Sequence, residues 1–175
     1  MEDMSQDAYN SSESDGSESL LHAASEAGDA TLIAELVRQG EDVGGLDDED
    51  WTPLMWATDV ATVVALLAAH SNPRYVTPHG ESVLMVLARR ANPEALTHLI
   101  LAAGLDVNAA AETGNTALME AAAVGALENV RVLLNHGACP TTRTEKGGRA
   151  EDAALRWGYE DVAEVLRQAY ASAEE

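Results

Sequence analysis

Apolar and polar residues fall along much of this chain in short blocks with helical spacing, and the clearest block runs from Thr113 to Ala138. There Leu127, Val130, Leu133 and Leu134 recur on one face of a predicted helix. A shorter alanine-rich helix containing Ala121, Ala122 and Ala123 precedes it. Gly114 makes the entry turn, and Thr116 is placed to cap the first helix by accepting a hydrogen bond from an otherwise unpaired N–H. Gly125 ends that helix, and Gly137 supplies the left-handed residue at which the second one stops. A single hairpin of this size cannot bury its own apolar face, so the pattern requires neighbours of the same kind.

The chain contains them. With Thr116 as the landmark, equivalent positions fall at Ser19, Thr52, Ser82 and Arg149, in successive steps of 33, 30, 34 and 33 residues. Each unit carries paired aliphatics in its second helix, as in Leu36-Val37, Leu66-Leu67, Leu99-Ile100 and Leu133-Leu134, which stacking would merge into one core. Pro53 and Pro93 suit first-turn positions, where a missing N–H costs nothing. The second unit is about three residues short and lacks the mid-unit glycine, so its hairpin should be tightened or its first helix trimmed.

A period near 33 built from a turn and two helices resembles the ankyrin repeat. Thr52-Pro53-Leu54-Met55 keeps the first three residues of the family's Thr-Pro-Leu-His signature, and Ser19-Leu20-Leu21-His22-Ala23-Ala24 keeps its histidine and alanines. Ser82-Val83-Leu84-Met85 and Thr116-Ala117-Leu118-Met119 are looser copies. Gly104-Leu105-Asp106-Val107-Asn108-Ala109 is similar to the family's exit turn. The expected fold is all-α: an ankyrin-repeat solenoid of stacked helix-turn-helix units joined by hairpin-like β-turn loops. Its repeats should span residues 17–46, 47–77, 78–110, 111–143 and 144–171, flanked by tails at 1–16 and 172–175. The resemblance gives His22 a structural role between repeats.

Composition narrows the function. Only 4% of residues are aromatic and Phe is absent, which suits a helical stack with small residues between its layers. The net charge of −20 is uneven: residues 1–50 hold fifteen acids and one cation, Arg38. Such a field disfavours nucleic acid and anionic membranes and favours a basic partner. The single cysteine, Cys139, suits a reducing compartment, and the amino terminus is unlike a secretory signal. A monomer in the cytoplasm or nucleus is expected. The Ser-rich acidic residues 1–16 cannot bury enough apolar area to order themselves. Within them Ser12, three residues before Asp15, fits an acid-directed kinase.

No metal or cofactor is expected. The acids Asp47-Asp48-Glu49-Asp50 lack the alternation and glycine of a calcium loop. His22, His70, His79, His98 and His136 show no ligand spacing, and Cys139 has no evident base, so catalysis is not expected.

The resemblance also implies where a partner would lie. In ankyrin stacks the residues before the landmark and those late in the first helix line a concave face. Carried onto this chain, these are Asp48, Glu49 and Trp51; His79 and Glu81; Arg89 and Arg90; Glu112, Thr113 and Asn115; and Arg156 and Trp157. The expected role is an adaptor, scaffold or inhibitor that binds a protein with an Arg- or Lys-bearing epitope. An acidic antitoxin or nucleic-acid mimic that blocks a basic enzyme cleft is the alternative. Trp51 either meets the partner or packs on an adjacent turn, and Trp157 either meets it or shields the C-terminal edge. Arg89 and Arg90 either pair with upstream acids or receive a carboxylate from the partner.

Overall fold

A computed structural model describes residues 19–173. The acidic segment expected at 1–16, with Ser12, lies outside the described residues. Five helical pairs follow one another: α1 (Leu20–Glu26) and α2 (Ala30–Gln39); a 3₁₀ turn (Pro53–Trp56) and α3 (Val60–Ala68); α4 (Val83–Arg89) and α5 (Pro93–Ala103); α6 (Ala117–Ala123) and α7 (Leu127–Asn135); α8 (Ala150–Trp157) and α9 (Glu160–Ala173). The first members form an inner row, each packed on the next, and the second members form an outer row. No strand occurs among the described residues; two isolated bridges, Val76 to Ser82 and Ala110 to Thr116, pin the turns before α4 and α6.

Small residues set the spacing of the inner row. Ala88, Ala121, Ala122 and Ala154 are fully buried between these helices, whereas Leu66, Leu99, Leu133 and Leu166 fill the space behind them. The outer helices can begin sharply because their caps are good acceptors. Asp29, Asp59 and Asn92 each accept an N–H three residues on, at 2.9, 2.7 and 2.9 Å.

One turn recurs before each landmark from Thr52 onward. Asp47, Thr77, Ala111 and Thr144 each donate their N–H to a carbonyl four residues on, at 2.8 to 3.1 Å. The fourth residue of each turn is left-handed: Asp50, Gly80, Gly114 and Gly147 have φ of +62°, +85°, +79° and +81°. Gly114 is also needed for space, since a Cβ there would stand 2.9 Å from the Thr144 Cα of the next turn.

The second repeat is trimmed as its length requires, its inner element being a four-residue 3₁₀ turn. The fifth departs at its cap. Arg149 has no acceptor to offer, and only the Asp152 carboxylate closes the turn, accepting the Arg149 N–H at 2.8 Å. Its outer helix α9 continues through Ala173.

Polar side chains tie adjacent repeats. His22 donates from Nε2 to the Trp51 carbonyl oxygen at 2.9 Å. Asn92 donates to the Thr58 carbonyl at 2.7 Å. Asn129, fully buried, donates to the carbonyl oxygens of Ala88 at 2.9 Å and of Arg90. The Asn92 and Asn129 bonds reach carbonyls at or just past the ends of the short inner elements, whereas the His22 bond adds to a Trp51 carbonyl that already accepts the Asp47 N–H.

Candidate functional site

The turns place their tips in solvent. Asp48, Glu49, His79, Glu112 and Thr113 are all exposed there. The residues nearer the landmarks turn inward instead and form a network across three repeats. Asp47 organises its start: one carboxylate oxygen accepts the N–H groups of Glu49 and Trp51 at 3.0 and 2.8 Å, and the other accepts Trp56 Nε1 at 2.6 Å. This fixes the Trp51 and Trp56 rings 5.3 Å apart, centre to centre, and tilted by 52°.

Arg89, at the end of α4, continues the network. Its guanidinium carbon lies 6.0 Å from the Trp51 ring centre, and its Nη1 reaches Glu81 at 2.7 Å and Glu120 at 3.2 Å. Glu120 in turn accepts a hydrogen bond from Asn115 Nδ2. Trp51, Glu81, Arg89 and Asn115 are therefore joined, with Glu120 as the connection between the third and fourth repeats. Trp51 packs on its neighbours, and Arg89 pairs within the chain.

Arg90 takes a different direction. It lies over Trp56, 5.4 Å from the ring centre, and burial lowers the pKa of its guanidinium despite the opposing field of Glu26. Arg156 and Trp157, by contrast, stand at the far end of the inner row. There α6, α8 and the two turns before them enclose a cleft of about 410 Å³, lined in part by Thr113, Asn115, Arg156 and Trp157. Trp157 is 66% exposed, so it does not serve as a packed edge.

The cleft also includes Glu145, Lys146, Arg149 and Asp152, which the sequence reading omitted. The signal was present. The offsets from the landmark that select Glu112 and Thr113 select Glu145 and Lys146 when applied to Arg149. Trp56 and Glu120 lie within the inner elements and gave no comparable cue, because their roles depend on what the next repeat brings against them.

Chemically, the inner face offers charges, amide donors and indole surface. No group of three or more His, Cys, Asp or Glu side chains is arranged to hold a metal ion among the described residues. Cys139 is exposed on a loop, with its Sγ 3.0 Å from Thr141 Oγ1. No helix among the described residues is long and apolar enough to cross a membrane.

Comparison with known proteins agrees with this architecture. The chain is 29% identical over 152 residues to the human protein transient receptor potential cation channel subfamily A member 1, an alignment covering 84% of this chain and 14% of that protein. The family model described as ankyrin repeats in three copies matches residues 20–111 and again residues 84–174. Together the two matches span the whole stack of five helical pairs, and the chain belongs to the ankyrin-repeat family, whose repeats generally mediate protein–protein interaction.

Proposed function

We propose that this chain is a non-enzymatic binding module, an adaptor, scaffold or inhibitor, that takes a protein partner along its inner row of turns and first helices. The observation that carries this reading is Trp157. An indole that is 66% exposed at the edge of a cleft leaves apolar area in water that a partner would cover. Asp48 and Glu49 project from the turn at the other end of the same row and offer carboxylates to a basic segment. The face of Trp51 already carries Arg89, so a partner's cation would meet these two acids instead of that ring.

The module acts as a monomer in the cytoplasm or nucleus, and its single exposed thiol is compatible with a reducing compartment. Site-specific photo-crosslinking tests the face. A crosslinker at position Trp157 should capture the partner, whereas one at Leu101, 67% exposed on the outer row, should not. Capture from the Leu101 position alone would overturn the reading.

A further inference from the structure

We infer that the cleft between the fourth and fifth repeats receives an acidic peptide segment that carries an apolar side chain. The inference rests on the inner-face reading and gives its C-terminal half a partner chemistry.

It starts from where positive charge is left over. The chain has ten cations against a net charge of −20. Arg38, Arg89, Arg131, Arg149 and Arg167 are ion-paired. Arg74 and Arg143 donate to backbone carbonyls, and Arg90 covers Trp56. Lys146 and Arg156 form no hydrogen bond or ion pair among the described residues, and both line this cleft.

The acids around them are largely committed elsewhere. Glu120 is engaged by Arg89 and Asn115. Asp152 accepts the Arg149 N–H at 2.8 Å and lies 3.8 Å from its guanidinium. Among the described acids that line the cleft, Glu145 alone is left to offset the two cations. A basic segment entering here would set like charges against Lys146 and Arg156 at contact distance, which costs affinity. A carboxylate would instead complete both. The overall negative field does not forbid this, because charges beyond a Debye length of about 8 Å are screened at physiological salt whereas contacting pairs are not.

Trp157 supplies the second element. Its ring, with Ala123 and Ala153, gives one side of the cleft an apolar surface beside the two cations. A residue that pairs an aliphatic or aromatic side chain with flanking Asp or Glu matches this juxtaposition, with the apolar group on the indole and the acids on Lys146 and Arg156.

Selection of a random dodecapeptide phage library on the full chain tests this. Enriched sequences should hold two or more acids next to an aliphatic or aromatic residue. A synthetic copy of the strongest should lose about tenfold or more in affinity to the Lys146→Glu, Arg156→Glu variant, and several-fold to Trp157→Ala. Both variants should keep the parent thermal midpoint, since the replaced side chains are exposed. Enrichment of basic peptides, an absence of enrichment both with and without residues 1–18, or acidic peptides that bind all variants equally would overturn the inference. Acidic peptides that bind only after residues 1–18 are removed would uphold the chemistry of the cleft and name the chain's own acidic segment as its occupant. Basic peptides lost on Asp48→Lys would leave the inner-face reading standing while ending this one, and peptides indifferent to every inner-face substitution would count against both.

Discussion

The guanidinium carbon of Arg89 lies 6.0 Å from the centre of the Trp51 ring, joining the third repeat to the turn that opens the second. Trp51 is half-buried and sits outside every helix, so Trp51→Ala should leave helix content nearly unchanged. It should still cost about 1–3 kcal/mol of stability, a part of the penalty for removing a fully buried indole. Urea unfolding measures this. In an Arg89→Met background the cost should fall by about 0.5–1 kcal/mol, and strict additivity would show that the contact carries no energy.

Two threonines at equivalent positions should respond in opposite ways. Thr116 Oγ1 accepts the Met119 N–H at 3.4 Å, a long cap. Thr52 Oγ1 is buried and has no hydrogen-bond partner among the described residues. Thr116→Val should therefore destabilise by about 0.5–1 kcal/mol, and Thr52→Val should be neutral or stabilising. Equal losses at both sites would mean that Thr52 has a partner in solution.

Gly125 combines a left-handed backbone, φ +73°, with the Tyr159 ring packed directly where a Cβ would stand. Gly125→Ala should cost about 1–2 kcal/mol from the backbone alone, with the clash in addition. Trimming the ring separates the two: in a Tyr159→Ala background the penalty of Gly125→Ala should shrink toward the backbone part. A penalty that does not shrink would place the whole cost in φ.

The Cys139 thiol has its pKa lowered from the usual cysteine range, chiefly by hydrogen bonding from Thr141 and then from Thr142. Hydrogen bonds to the thiolate favour the charged form, so alkylation by iodoacetamide should titrate with a midpoint below that of a free cysteine. Thr141→Val should move that midpoint upward. An unchanged profile would remove Thr141 as the cause.

The five hairpins were legible because their evidence is local and repeated. Glycines, caps and paired aliphatics recur at nearly fixed offsets from Ser19 to Arg149, and the 30-residue step of the second repeat left a tightened hairpin or a trimmed first helix, of which the 3₁₀ turn is the trimmed form. The network was not legible in the same way. Trp51 and Arg89 stand 38 positions apart, and nothing local distinguishes an arginine that will lie on an indole from one that will face solvent. Asn129 illustrates the same limit, since it reads as a polar residue within a helical stripe until the preceding repeat brings its open carbonyls alongside. The family offsets point to turn tips that are exposed, whereas the inward course of Trp51, Glu81 and Arg89 comes from packing between units.

The 3₁₀ turn of the second repeat gives the stack a seam. Its inner element is a single 3₁₀ turn of four residues, where the inner helices on either side, α1 and α4, have seven residues each. In a repeat array, opening begins where an interface is weakest and spreads to the units it separates. Amide hydrogens at Met55 and Ala57 should therefore exchange earlier than those of α4 or α6. A partner lying from the Asp48 turn to the Trp157 cleft would bridge this seam like a splint, and part of its binding energy would then appear as a slower rhythm of opening in the second repeat.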